Sequence, residues 1–380
     1  MKQRILIQAV IAASAGALAL GCGGGDKNST PVTPTPVNAT LTAPKLESPL
    51  ANAQLDTLRP TLTVQNATSD QPSGTRTYEF QISDTAQFTA ATTQSVNGFD
   101  ATVGKTGVSE GSGGKTSFTV DADLQPTTKF YWRARAIQGG ATGPWSETSE
   151  FKSKLVGFNR AGELYDPLIH GETVGERIGS TTFLPGRGLQ LDSGVSFVRY
   201  LLPQTIGSGE FSMDVEGLRA NAPGDKAKVF GMQEGLTDFI TNRYRIDIQY
   251  RGTAGFPPNA IQWRVIYGDG DDLDKRYEPD TAKRLASVYL LNPSTTYHWK
   301  FTWGSDIRLI VREGGINGST LYDYGLPAKK GSYAPNPHYV YLGAPVGRSG
   351  NESASIAGTV YRNVYIGSKP RPDTLGSALR

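Results

Sequence analysis

The sequence predicts an all-β chain of two sandwiches in series, on three observations. Aromatic and apolar residues recur at every second position, as in Tyr297, Trp299, Phe301 and Trp303 between His298, Lys300 and Thr302; period two marks a strand with one buried face. The 45 glycines and 23 prolines punctuate such runs with turns. No long amphipathic helical pattern interrupts them, and 380 residues suffice for two domains. With a net charge of +3 and 19% charged residues, the chain lacks the basic character of a nucleic-acid binder.

The N-terminus reads as an export signal over residues 1–21. Lys2 and Arg4 precede an apolar, Ala-rich run from Ile5 to Leu20 that is short for a bilayer span. Cys22, the only cysteine, stands where that run ends. Ala19-Leu20-Gly21-Cys22 resembles the bacterial lipobox, which implies that Cys22 is lipidated and becomes the mature N-terminus. The resemblance implies attachment through lipid alone, and Gly23 rather than Asp after the cysteine points to the outer membrane or cell surface. Residues 22–43, rich in Gly, Pro, Thr and Ser, read as a flexible tether.

Residues 44–153 read as the first sandwich. Strands are expected at Thr61 to Gln65, Thr77 to Ser83, Ser117 to Asp121 and Lys129 to Ile137, with a turn over Leu124 to Thr128. Leu124, Pro126, Tyr131, Trp132, Arg133, Arg135 and Ala136, followed by Gly143, Trp145 and Ser146, are similar to the bacterial fibronectin type III pattern. The resemblance implies a seven-strand sandwich serving as spacer or docking module.

Residues 154–368 read as the second sandwich. After a loop-rich opening from Glu163 to Gly194, strands are expected at Phe197 to Leu202, Glu210 to Glu216, Lys228 to Gln233, Tyr244 to Tyr250 and Ile261 to Tyr267. A hairpin over Thr295 to Gly315 turns at Gly304-Ser305-Asp306, and strands at Tyr339 to Leu342 and Val360 to Ile366 follow. Gly186 to Leu191, Val198 to Pro203, Gly209 to Met213 and Gly358 to Gly367 resemble a concanavalin A-like (laminin G-like) jelly roll. That superfamily holds lectins, adhesion modules, glycoside hydrolases and polysaccharide lyases. Residues 369–380 read as a disordered polar tail.

Alternation sorts the strand residues into two sets. Phe211, Met213, Val215, Tyr244, Ile246, Ile248, Ile261, Trp263, Val265, Trp299 and Phe301 form the candidate core. Asp214, Glu216, Arg245, Asp247, Gln249, Gln262, Arg264, His298 and Lys300 face the other way. If their strands share a sheet, they make one polar surface whose carboxylates, amides and guanidiniums suit sugar hydroxyls. The same alternation also fits a merely solvated face.

Asp214 and Glu216 lie about 7 Å apart along one strand, near the ~5–5.5 Å of a retaining glycosidase pair. However, GEFSMDVEGL does not reproduce the E-x-D-x-x-E motif of laminarinase-like hydrolases, and no catalytic residue is assigned. Asp269, Asp271, Asp272 and Asp274 crowd one loop and offer hard oxygen ligands to calcium, the one cofactor in view. An acidic hairpin tip kept soluble by charge is the reading favoured over a metal site. The expected function is noncatalytic binding of a polysaccharide, surface glycan or matrix, or adhesion through a protein partner. The alternatives are a jelly-roll lyase or hydrolase, and a structural surface component.

Overall fold

The structure, a computed structural model, describes residues 38–88, 102–221, 227–236, 244–253, 257–268, 276–277, 289–327, 333–345 and 355–379. The export signal, Cys22, most of the tether and the four aspartates of the acidic loop lie outside these residues. No helix among the described residues is long and apolar enough to cross a membrane.

The chain is all-β, and its strands enclose two separate hydrophobic cores. The first sandwich begins with β1 (Lys45–Ser48), β2 (Ala53–Gln54), β3 (Thr61–Gln65), β4 (Arg76–Ser83) and β5 (Thr102–Ser109). It continues with β6 (Lys115–Thr119), β7 (Lys129–Gln138), β8 (Ala141–Thr142) and β9 (Ser149–Lys152). One sheet has the order β1-β3-β6; the other runs β2-β9-β7-β4-β5, with β8 on β7. In β7, Trp132, Ala134 and Ala136 are fully buried while Tyr131, Arg133 and Arg135 face outward, as the alternation requires. On that outer face Trp145 lies against Arg133 and Arg135, each guanidinium 4.3 Å from its ring.

The second sandwich opens with β10 (Phe158–Arg160), β11 (Glu163–Asp166), β12 (Glu176–Ile178), β13 (Thr181–Leu184) and β14 (Gly188–Leu191). Then come β15 (Phe197–Leu201), β16 (Gly209–Glu216), β17 (Ala227–Gln233), β18 (Tyr244–Tyr250), β19 (Ile261–Tyr267) and β20 (Arg276–Tyr277). The hairpin is β21 (Tyr297–Trp303) and β22 (Asp306–Glu313), followed by β23 (Ser319–Pro327), β24 (Tyr339–Leu342) and β25 (Val360–Gly367). A nine-strand sheet runs β10-β11-β25-β16-β21-β22-β23, with β14 on β25 and β13 on β14. A seven-strand sheet runs β12-β15-β24-β17-β18-β19-β20.

Between the sheets the expected apolar set is buried as one cluster, except Tyr244, which stands at the start of its strand and is exposed. The Phe230 ring meets Phe211 edge-on at 4.8 Å, and Trp263 Nε1 donates to Tyr322 Oη at 2.9 Å, tying one sheet to the other. Each such aromatic brings large apolar area, and Trp263 also a polar atom that here has its partner.

Several expectations are corrected. The loop-rich opening from Glu163 to Gly194 also carries four short strands, and Ser319–Pro327 is an edge strand of the nine-strand sheet that alternation did not mark. The tether's last residues belong to the first sandwich: Leu41 is buried in its core and bridges Ser69. The tail is ordered through residue 379, because Leu375 is fully buried against Tyr165 and Tyr365 and the chain closes in a 3-10 turn over Ser377–Leu379.

Candidate functional site

The nine polar candidates do not share a face. Asp214, Glu216, His298 and Lys300 stand on β16 and β21 of the nine-strand sheet, and Arg245, Asp247, Gln249, Gln262 and Arg264 on β18 and β19 of the seven-strand sheet. The two apolar sets pack against each other, so the two polar sets point in opposite directions. The single continuous surface expected from alternation is therefore two surfaces.

On the nine-strand face the four candidates are engaged by the protein's own side chains. Asp214 is opposite His298 in register, and His298 Nδ1 lies 2.8 Å from Asp214 Oδ1. Asn363 Nδ2 donates to Asp214 Oδ2 at 3.0 Å, Asn363 Oδ1 accepts from Tyr165 Oη at 2.9 Å, and Arg371 Nη2 reaches the same oxygen at 2.5 Å. Burial works to raise the Asp214 pKa, but His298 and Asn363 overcome it and hold the carboxyl below its ordinary value. Glu216 is also fully engaged: Arg362 Nη1 at 2.7 Å and Thr296 Oγ1 at 3.0 Å donate to Oε1, and Arg187 Nη2 at 2.9 Å to Oε2. Lys300 pairs with Glu210 at 2.7 Å. These carboxylates hold strands and tail together, and the acid and base of a glycosidase pair are not poised there.

The seven-strand face is organised in rows. Register places Arg199, Tyr341, Gly231, Asp247 and Arg264 side by side across five strands. A second row sets Tyr339, Gln233 and Arg245 together, and a third Lys228, Gln249 and Gln262. Lys228 Nζ donates to Gln249 Oε1 at 2.9 Å, Gln249 Nε2 to Gln262 Oε1 at 2.5 Å, and Tyr341 Oη to Gln233 Oε1 at 2.8 Å. Phe197, Tyr339 and Tyr341 give this face an aromatic side. Arg199, Tyr339, Arg245 and Arg264 keep part of their surface exposed.

Asp247 is the centre of charge. Only 1% exposed, it lies 3.0 Å from Arg264 Nη2, and Arg264 Nε donates to Oδ2 at 3.1 Å. Burial pushes its pKa up; Lys228, Arg245 and Arg264 overcome that and hold the carboxylate far below its ordinary range. Arg245 Nε stands 3.4 Å from Oδ1 without hydrogen-bond geometry, so Oδ1 accepts no hydrogen bond among the described residues. Its neighbour in the row, Gly231, contributes no side chain. Tyr341, Lys228, Gln233 and Gly231 were missed in the sequence. Alternation places Gly231, Gln233 and Tyr341 outward, and that signal was available; Lys228 joins them through a β-bulge between Lys228 and Phe230, which alternation does not show.

The acidic loop lies outside the described residues, and no group of three or more His, Cys, Asp or Glu among those described could hold a metal ion.

No protein-family model matches the chain, and no curated protein matches it. Among solved structures, the Ca2+/Man3GlcNAc-bound exoplasmic/lumenal domain of VIP36 is similar at 8% identity and a TM-score of 0.33, over 55% of this chain and 91% of that one. The binding domain of botulinum neurotoxin serotype C1 is similar at 11% identity and a TM-score of 0.32, over 59% of this chain and 50% of that one. A fibronectin type III domain of the human KIAA0970 protein is similar at 18% identity and a TM-score of 0.18, over 36% of this chain and 86% of that one. At these scores the likeness describes sheet architecture and carries no chemistry.

Proposed function

We propose that the chain is an exported, lipid-anchored surface protein whose second sandwich binds a glycan, without cleaving it, on the outer face of the seven-strand sheet. The observation that carries the reading is the row in which buried Asp247 holds Arg264 and Arg245, both partly exposed, beside the side-chain-free position of Gly231. Asp247 does not meet the sugar itself; it holds the partly exposed Arg245 and Arg264, whose guanidiniums face the hydroxyls. The flanking guanidiniums and amides suit neighbouring hydroxyls, and Tyr339 offers a ring face to the sugar's C–H side. Export and lipidation rest on the residues around Cys22.

A glycan array probed with the full chain, with and without calcium, tests this. Asp247→Asn and Arg264→Gln are each expected to weaken a hit by about tenfold or more, with no product released. Affinity unchanged in both variants removes the face from the binding role, and product release converts the reading to an enzyme. Calcium dependence would bring the Asp269 to Asp274 loop into the site. Palmitate labelling that is lost in Cys22→Ser tests the anchor.

A further inference from the structure

A cleft of about 380 Å3 opens between the two sandwiches. Leu58, Arg59, Asp123 and Pro126 of the first line one wall, and Val156, Gly157, Phe158 and Arg160 of the second line the other. That volume lies within the range of small-molecule sites, roughly 300–1,000 Å3, which favour domain junctions.

The walls are fixed. Thr127, next to Pro126, is fully buried at φ 53°, a conformation a β-branched residue holds only where its surroundings impose it. Here they do: its N–H donates to Lys154 O at 2.9 Å, its Oγ1 to Val156 O at 3.3 Å, and its carbonyl accepts from Ala378 N at 3.3 Å. The tail adds a second tie, with Lys129 N donating to Ser377 Oγ at 2.8 Å. Opposite, Gly157 is packed so closely that a Cβ there would stand 2.7 Å from Tyr165 O.

The chemistry of the cleft is set by two guanidiniums, one from each sandwich. Arg59 Nε donates to Asp123 Oδ1 at 2.6 Å, and both side chains are 56% exposed. Arg160 lies 4.4 Å over the Phe158 ring and pairs with Glu163. Each fork is thus already matched to a carboxylate, and an exposed ion pair of this kind contributes little stability, so a ligand carboxylate can replace Asp123 at small cost. The apolar remainder of the walls, Leu58, Pro126 and Val156, suits a ring rather than a bare anion.

We propose that this cleft is a second binding site, separate from the sheet face, for one uronate unit of an acidic polysaccharide. The sugar carboxylate bridges Arg59 and Arg160, and the ring lies against the apolar wall. Calorimetric titration of the full chain with a galacturonate trimer, a neutral glucose trimer and sodium sulfate tests it. Uronate binding that weakens with added salt, with no binding of the neutral trimer, is expected. Arg59→Gln and Arg160→Gln should each lower that affinity at least about tenfold at unchanged melting temperature, and Asp123→Asn should raise it. Arg308→Gln, at an exposed pair with Asp323 that lines neither site, should leave it unchanged. No uronate binding, equal binding of the neutral trimer, sulfate binding as tight as uronate, or indifference to the arginine variants each overturns the proposal.

Discussion

On the nine-strand sheet Asp214 uses both oxygens, one with His298 and one with Asn363, whereas on the seven-strand sheet Asp247 Oδ1 has no hydrogen-bond donor among the described residues. Both are strand residues among apolar neighbours, both are buried, and both are held ionised by their surroundings. The difference lies in what the rest of the chain brings. Asn363, Tyr165 and the tail residue Arg371 converge beside Asp214, and Leu375 seals the group. Beside Asp247 the register brings Gly231, which has nothing to donate from a side chain. A polar side chain on a sheet's outer face is therefore structural or available according to its satisfaction, not its type.

The sharpest way to break this comparison is Asp214→Ala. It leaves His298 and Asn363 without their acceptor and should destabilise the fold by about 3–5 kcal/mol in urea unfolding, with glycan affinity of the folded fraction unchanged. A stable variant that lost affinity would invert the assignment of the two faces.

A third buried carboxyl sharpens the contrast. Burial pushes Asp166 up to about 6, against the hydrogen bonds from Thr173, Tyr200 and the Val174 and Leu168 amides. The native state therefore retains a proton that the unfolded chain releases. Its contribution is fully present below about pH 4 and is lost as pH rises through about 6, a span worth roughly 3 kcal/mol. Asp166→Asn should flatten stability against pH across that window; an unchanged slope would show that the carboxyl titrates normally.

Leu375→Ala tests the seal over Asp214. It should cost about 2–3 kcal/mol and speed proteolysis at the joint, where Ala378 and Ser377 meet Thr127 and Lys129. Equal protease resistance would separate the tail from the joint. The smallest effect belongs to Arg199→Gln, whose pair with Glu176 is exposed. Stability should move by no more than about 1 kcal/mol, with glycan affinity falling a few-fold; an affinity equal to that of the parent chain would confine the site to the Asp247 end of the row.

Much of this architecture could be read from residues alone. Tyr244–Tyr250, Ile261–Tyr267 and Tyr339–Leu342 run where alternation puts them, and the hairpin pairs Trp299 with Val311 and Phe301 with Leu309. Period two assigns a residue to one side of its own strand. It does not say which sheet that strand joins, and so Asp214 and Asp247 appeared on one surface. The partners of Asp214 were hidden for a related reason. Asn363 lies far along the chain, and residues 369–379 offer only Leu375, Ala378 and Leu379 as apolar signals beside the prolines, too few for a period. Ser319–Pro327 escaped notice as an edge strand with weak alternation, in which Tyr322 alone is buried.

One topological fact bears on how the molecule comes into being. Strand β25 sits inside the nine-strand sheet, between β11 and β16, and also carries β14. Leu164 meets Ile366 there, and Phe211 meets the same residue from the other side. The earlier strands thus wait, unpaired along those edges, until synthesis has passed Gly367. Such distant pairing is slow to form. The first sandwich closes around residues up to Phe151 and has no such wait. The second is therefore the half that needs protection while the chain is being made, and a ribosome stalled before Val360 would leave a closed first core trailing an incomplete, adhesive sheet.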